Sequence, residues 1–441
     1  MRAMSKRLII EKTEILKGVI TAPPSKSYTH RAIIIGSMAS RARILNPLKS
    51  DDTWHTVRAW RILGAKIKIK KDTEGKWKEI EIQGFNGRPE PEKKKINVGE
   101  SGTLLRFILP VVCLAEGTFI IDGKGTLKRR PNRSSVSALR QMGVDISAAR
   151  GFRVPIKIKA TGKLKGGVIY VDPKETSQVV SALLITAPLL SEETKIITGR
   201  DLVSKPYVDI TIDVLKWAGI KIEETGKGYI VKPGQKFKPE GPFVVPGDYS
   251  SSAFLLAAAC LVKSDLTIKN LKEDKQGDRR IVEILEKMGA HIERRNNALR
   301  VRGPFGLKGI SADCKDTPDL VPVLTVLGCF AKGRMRITNV RHLAYKESNR
   351  LFSIADQLNK MGACIKVDKE SGSVTVEKPL PEKIGTYVFP RVQNDHRVAM
   401  ALSLIGLRAE KIIIKGSNCI SKSYPCFVRD LRTLGARIKE V

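Results

Sequence analysis

The stretch Leu285-Glu-Lys-Met-Gly-Ala290 recurs in close copies five more times along the chain. The copies are Trp60-Arg-Ile-Leu-Gly-Ala65, Leu139-Arg-Gln-Met-Gly-Val144, Leu215-Lys-Trp-Ala-Gly-Ile220, Leu358-Asn-Lys-Met-Gly-Ala363 and Leu431-Arg-Thr-Leu-Gly-Ala436. Their glycines stand at 64, 143, 219, 289, 362 and 435, with spacings of 70 to 79 residues. The residues before each glycine read as an amphipathic helix. Ile281, Ile284, Leu285 and Met288 fall at i, i+3, i+4 and i+7, as do Leu351, Ile354, Ala355 and Leu358. The glycine then supplies the left-handed residue with which many helices end. A short alternating strand follows, as in Ala65-Lys-Ile-Lys-Ile-Lys70 and Ala290-His-Ile-Glu-Arg294. One α/β unit is therefore used six times, and two domains of three units each are expected.

Each unit holds a second helix that is apolar nearly all round and therefore buried. These helices lie near Ala32–Ala39, Leu104–Ala115, Val179–Leu190, Ala253–Val262, Leu320–Ala331 and Val398–Leu407. They open with Ser25-Lys-Ser27, Glu100-Ser-Gly-Thr103, Thr176-Ser-Gln178, Gly247-Asp-Tyr-Ser250, Asp316-Thr-Pro-Asp319 and Asn394-Asp-His-Arg397. Such residues cap helices, which is the plain explanation of any one of them. A helix start also offers free N–H groups and a positive dipole end to an anion. Lys or Arg just inside several starts favours that second role.

Proline-marked joints at Ala22-Pro-Pro-Ser25 and Val244-Val-Pro-Gly247 fall where a domain change is expected. The first joint precedes the first helix, so residues 1–22 are expected to join 247–441 as one domain, with 23–246 as the other and a hinge between. The net charge is +34, from 79 Lys and Arg against 45 Asp and Glu. Nucleic acid, a membrane surface and small anions are all partners for such a balance. Aromatic residues make up only 5%, too few for base stacking to be the main business, and no zinc-finger or RNP-like motif occurs. The lysine runs Lys66–Lys71 and Lys93–Lys95 read as solvated faces. Seven cysteines without a CxxC pair, three of them (Cys113, Cys260, Cys329) inside apolar helices, read as buried thiols of a reducing, cytoplasmic compartment. The five histidines are scattered, so a zinc site is not expected. The opening Met1-Arg-Ala-Met-Ser-Lys-Arg-Leu-Ile-Ile10 has no signal-peptide core, and no apolar run reaches the length of a membrane span.

Candidate chemistry gathers at the helix starts. Lys26, Ser27 and Arg31 open one buried helix, where the two cations are expected to face an anion. Gly102 and Thr103 open another, where a missing side chain lets a ligand approach the backbone. Arg130 follows in Lys128-Arg-Arg-Pro131, and Ser204-Lys-Pro-Tyr207 places a hydroxyl pair ahead of a helix. The C-terminal half adds Asp319, then Lys346, Glu347 and Arg350, then Arg397 and Lys422. Glu347 and Arg350, three apart, are expected to share one helix face. Six cations (Lys26, Arg31, Arg130, Arg350, Arg397, Lys422) with two carboxylates (Asp319, Glu347) suit anionic ligands, with acids left for proton transfer.

At these residues the chain resembles the 5-enolpyruvylshikimate-3-phosphate synthases, in an archaeal-like form. Pro23–Arg31 matches the family's P-x-S-K-S-x-x-x-R, and Gly99–Arg106 its G-x-x-G-T-x-x-R. Arg130-Pro131, Ser177-Gln178, Ser204–Tyr207, Gly247–Ser251, Pro318-Asp319, Lys346–Arg350, Asn394–Arg397 and Lys422 follow in the family's order, so the likeness runs from about Val19 to Arg437. The resemblance implies two similar domains, each of three βαβαββ units around buried parallel helices: an inside-out α/β barrel, with a cleft between the domains that closes on substrate. It implies transfer of the enolpyruvyl group of phosphoenolpyruvate to the 5-hydroxyl of shikimate 3-phosphate with release of phosphate, on the way to chorismate, by a monomer without cofactor or metal. It assigns Lys26, Ser27, Arg31, Thr176, Ser177, Gln178, Ser204, Tyr207, Asp319 and Lys346 to shikimate 3-phosphate. Lys26, Gly102, Arg130, Gln178, Arg350, Arg397 and Lys422 fall to phosphoenolpyruvate, with Asp319, Glu347 and Lys26 as the catalytic groups.

The chain departs from the family pattern at four places. Glu100 stands where Asn is frequent, Thr176 where Ser is common, Asn349 where Asp is frequent, and His342 at a position often held by Asn. Two rival readings are a UDP-N-acetylglucosamine enolpyruvyl transferase and a nucleic-acid-associated protein. The first usually carries Lys-Asn at Lys26-Ser27 and a reactive loop cysteine in its first half, whereas the early cysteine here, Cys113, lies in an apolar stretch.

Overall fold

The structure, a computed structural model, describes residues 6–390 and 392–441. The reading of Met1–Ser5 as lacking a signal sequence lies outside the described residues. The chain forms two compact units, Met1–Pro23 with Gly247–Val441, and Pro24–Pro246.

The helices are α1 (Lys26–Met38), α2 (Asp51–Ile62), α3 (Gly102–Val112), α4 (Arg133–Gln141), α5 (Gln178–Thr186), α6 (Pro206–Trp217), α7 (Tyr249–Leu261), α8 (Ile281–Lys287), α9 (Val321–Gly328), α10 (Arg350–Asn359), α11 (His396–Ile405) and α12 (Phe427–Thr433). They alternate in kind. The odd-numbered helices are buried on every side, and the even-numbered ones bury one face and run into the repeated glycine. All six glycines adopt positive φ, from +76° to +104°. In each copy the glycine N–H donates to the carbonyl three residues back at 2.9–3.0 Å, and the next N–H to the carbonyl five back at 2.9–3.2 Å. This is the Schellman pairing, which satisfies carbonyls the helix end would leave open.

Among the described residues, each unit's strands build three four-stranded sheets of one design. In spatial order one of them runs Lys95–Asn97, Glu116–Asp122, Arg153–Thr161, Asp145–Ala149. The first pair is parallel and joined through α3; the last pair is an antiparallel hairpin. Three sheets take a strand from far along the chain. Phe243–Val244 lies parallel to Arg41–Leu45, and Arg7–Glu11 fills the gap between Lys411–Lys415 and Arg437–Glu440. Ile15–Thr21 supplies the parallel edge beside Lys263–Lys269. Leu8 and Ile10 enter the core at no measurable exposure, which is what seats the first strand there. The odd helices pack inside these sheets, and each unit has its own continuous apolar core.

In the unit Pro24–Pro246, Lys26 and Ser27 of α1, Thr103 of α3 and Gln178 of α5 are the residues of these three helices that escape full burial. All four lie in a first turn. Helix starts in this unit therefore open outward while the helix bodies fill the core. The side chains of Ser101, Asp248 and Asp395 cap α3, α7 and α11. The starts of α1, α5 and α9 carry no such side-chain cap.

Several expectations need correction. Cys113 and Cys329 terminate α3 and α9 rather than lying inside them, although both stay buried. Tyr207 lies within α6, because Pro206 is well suited to open a helix and places it in the first turn. Glu347 precedes α10, which begins at Arg350 after Asn349. No helix among the described residues is long and apolar enough to cross a membrane.

Candidate active site

In the unit containing the C-terminal half, Arg350 is the organising cation. It sits at the start of α10 with its side chain 2% exposed. Its Nη1 donates to Asp319 Oδ1 at 2.7 Å, Nη2 to Glu347 Oε2 at 2.8 Å and Nε to Asp395 Oδ2 at 2.8 Å. Burial works against the guanidinium charge, but Asp395, Glu347 and Asp319 more than offset it, and its pKa rises. The pair Glu347–Arg350 thus forms across a turn, not on a helix face, and it is buried rather than superficial. Asp319, in the turn that leads into α9, also accepts from Arg397 Nη2 at 3.2 Å. Lys422 Nζ donates to the Asn394 carbonyl at 3.0 Å, beside the start of α11. Asp319, Glu347, Arg350 and Arg397 are therefore one bonded cluster, with Lys422 at its margin.

Sequence reasoning passed over three members of this cluster. Asp395 both caps α11, through Arg397 N at 3.0 Å, and receives Arg350 and Ser348. Asp278 is buried, hydrogen-bonded to Ser250 of α7, and close enough to Asp319 to feel its charge. Burial, then Asp319, pushes its carboxyl up to about 7. His342, noted only as a departure, is buried near Lys346, Asp319 and Arg350, and burial pushes it down to about 3. Asp395 was visible within Asn394-Asp-His-Arg397; Asp278 had no local signal at all.

In the unit Pro24–Pro246, Lys26 Nζ lies 3.4 Å from Asp52 Oδ2 of α2. Arg31 does not simply face outward. Its Nε donates to Thr211 Oγ1 at 2.7 Å, Nη1 to the Ser27 carbonyl at 3.0 Å and Nη2 to the Tyr207 carbonyl at 2.8 Å. It also lies over the Phe107 ring at 5.1 Å, and burial lowers its pKa to about 10. Arg31 therefore ties the Ser27 and Tyr207 backbones together. Gln178 joins two arms: its Oε1 accepts from Arg106 Nη1 at 2.9 Å, and its Nε2 donates to Thr103 Oγ1 at 2.9 Å. Arg106 Nη1 also reaches the Gly102 carbonyl at 3.2 Å. A Cβ on Gly102 would lie 2.5 Å from Arg130 Nη1 and 2.9 Å from Arg106 Nη1, so the glycine gives two guanidinium groups their room. Thr176 Oγ1 accepts from Gln178 N at 3.3 Å, and Ser177 is buried at the α5 start. Ser204 takes a left-handed φ of +57° just before α6. Glu100, the odd charge, is bound to Thr126. Cys113 is inert: burial pushes its thiol up to about 12.

Repeated α/β units, cationic helix starts and two arginine-held acids define the class as an enzyme acting on anionic metabolites. The sequence profile of EPSP synthase (3-phosphoshikimate 1-carboxyvinyltransferase) matches residues 10–431. The 3-phosphoshikimate 1-carboxyvinyltransferase of Methanocaldococcus jannaschii is 40% identical over 439 residues, covering 98% of this chain and 99% of that one. Those of Methanosarcina mazei and Methanococcus aeolicus are 38% and 39% identical, each aligned over 99% of its own length and over 99% and 98% of this chain. The solved EPSP synthase of Acinetobacter baumannii superposes with a TM-score of 0.81 at 25% identity, over 99% of this chain and all of that one. The enolpyruvyl transferase NikO of Streptomyces tendae shares the fold, with a TM-score of 0.77 at 18% identity over 99% of both chains. The chain belongs to the EPSP synthase family. Its activity is the transfer of the enolpyruvyl group of phosphoenolpyruvate to shikimate 3-phosphate, a step of the shikimate pathway.

Proposed function

We propose that the two clusters serve one reaction, in the inside-out barrel fold of the family. The reading gives shikimate 3-phosphate to Lys26, Ser27, Arg31, Thr176, Ser177, Gln178, Ser204, Tyr207, Asp319 and Lys346. Phosphoenolpyruvate goes to Lys26, Gly102, Arg130, Gln178, Arg350, Arg397 and Lys422. The observation that carries it is the Asp319–Arg350–Glu347 contact, in which one buried cation holds two acidic side chains in fixed positions. The uncapped starts of α1 and α5 support it too, since Ser27 lies in the first turn of one and Ser177 is the N-cap of the other.

The chemistry follows from charge. As the enol methylene takes a proton, its neighbouring carbon becomes cationic and the 5-hydroxyl of shikimate 3-phosphate attacks it. Glu347 supplies that proton, aided by Lys26, and Asp319 orients the hydroxyl and receives its proton. The resulting tetrahedral intermediate expels phosphate, whose growing charge falls on Arg130, Arg350, Arg397 and Lys422, while its methyl group returns a proton to Glu347 and the enol double bond re-forms. The protein works in the cytoplasm as a monomer, and the reading requires neither metal nor cofactor.

The test is phosphate release on mixing the two substrates. Native protein releases phosphate, and Lys26→Met abolishes most of it. Glu347→Gln lowers kcat by about a hundredfold or more with small changes in KM, whereas Arg397→Ala chiefly raises the phosphoenolpyruvate KM. Small and equal effects of the last two changes defeat the role assignment.

A further inference from the structure

Glu100 brings a negative charge close to a site proposed to bind an anion, and its contacts give it a different task. Its Oε2 accepts from Thr126 N at 3.3 Å and from Thr126 Oγ1 at 3.1 Å. Thr126 lies in the first turn of the 3-10 helix Gly125–Arg129, whose terminating residue is Arg130. A carboxylate at that end meets unsatisfied amides and the positive end of the turn. Gly125 has a φ of +56°, and a Cβ there would collide with the Glu100 carboxylate, so the turn is shaped around this side chain. Two residues beyond Glu100, Gly102 lies under the Arg130 guanidinium. The far side of Arg130 is held in the same manner. Glu175 Oε2 accepts from Ser134 N at 3.0 Å and from the Ser134 hydroxyl, in the first turn of α4. Arg106 Nη2 reaches the Pro131 carbonyl between them at 3.4 Å.

We infer that Glu100 is a positioning residue for phosphoenolpyruvate binding: it pins the turn that carries Arg130, so that the guanidinium stays over Gly102. The inference rests on the site reading above, in which Arg130 takes phosphoenolpyruvate. Glu100 itself touches no substrate. The amide of glutamine still accepts through its oxygen, so Glu100→Gln keeps the turn in place, and alanine releases it.

Steady-state kinetics on the full chain test this. Glu100→Ala raises the phosphoenolpyruvate KM about tenfold, while kcat and the shikimate 3-phosphate KM stay within about twofold. Glu100→Gln stays within about twofold on all three. In an Arg130→Ala background, Glu100→Ala adds less than about twofold, because the group it positions is gone. If Glu100→Ala does not fold, Thr126→Val loses one of the two bonds and raises the same KM about threefold. An unchanged phosphoenolpyruvate KM in Glu100→Ala, with a large rise in Arg130→Ala, overturns the inference and leaves the site reading standing. Multiplying effects in the double variant overturn it equally. An unchanged KM in Arg130→Ala defeats the site reading itself, and this inference with it.

Discussion

Two buried groups beside Asp319 give the protein opposing pH dependences. Asp278, buried near Asp319, Asp248 and Arg397 and bonded to Ser250, is pushed up to about 7 from an ordinary 3.8. Between those values the folded chain keeps a proton that the unfolded chain has released. The stability this group contributes is therefore full below about pH 4 and is lost as pH rises to about 7. His342 runs the other way. Burial, then Lys346, lowers it from 6.5 to about 3, so unfolding takes up a proton in that window and its contribution is lost as pH falls through it. Asp278→Asn removes the first effect alone. Relative to native protein, its urea midpoint rises between about pH 4.5 and about pH 7.5 by the equivalent of about 1–3 kcal/mol. Parallel midpoints across that range would contradict the assignment. Neither residue's role could be read from the chain. Lys346, Glu347 and Arg350 stand together in sequence and announce themselves, whereas Asp278 meets Asp319 across 41 residues, in a turn whose own sequence, Gly277-Asp-Arg-Arg280, looks like an ordinary helix lead-in.

At the scale of elements, the repeated phrase was the most legible feature because its physics is local. A left-handed residue is needed wherever two hydrogen bonds close a helix end, and glycine reaches that conformation without a Cβ penalty. The helix starts were less legible. Ser, Thr and Asp stand at or near all of them, yet side chains cap α3, α7 and α11 but not α1 and α5, and α9 follows a 3-10 turn that puts Leu320 at its cap. The same hydroxyl serves backbone or ligand according to its rotamer, which composition does not encode. The glycines themselves differ in a measurable way. A Cβ on Gly289 would meet nothing nearer than the Gly306 carbonyl at 3.8 Å, so Gly289→Ala costs only the conformational penalty, about 1–2 kcal/mol. At Gly435 it would come within 2.9 Å of the Ile15 carbonyl, a backbone atom that cannot swing aside. Gly435→Ala is expected to lower the urea midpoint clearly further than Gly289→Ala. Equal losses would show that the left-handed backbone alone sets the cost.

Across the whole molecule, the six-fold count and the α/β class followed from the chain, and the proline joints led to the expectation that residues 1–22 join 247–441, but which strands pair did not follow. Pairing partners hundreds of residues apart leave no periodic trace. The strand Arg7–Glu11 completes a sheet whose other members begin at Thr386. Ile9 sits mid-strand, opposite Ile413 on one side and Lys439 on the other. Every residue from Leu8 to Glu11 has a partner on both flanks, so this strand is interior although it comes first in the chain. Its buried side chains pack against α11: a Cβ on Gly406, just past that helix, would lie 2.5 Å from the Ile10 Cβ. Proline at an interior strand position removes a ladder hydrogen bond and has nowhere to put its ring. Ile9→Pro is therefore expected to cost about 3 kcal/mol or more, and to cost it in one unit. Hydrogen exchange followed by mass spectrometry locates the loss. Amides of Lys411–Lys415 and Arg437–Glu440 should exchange far faster in the variant, while those of Glu116–Asp122, in the unit Pro24–Pro246, keep their native protection. Uniform loosening of both units would mean that they unfold as one cooperative body. Unchanged protection in Lys411–Lys415 would mean that the first strand is dispensable to the sheet it enters.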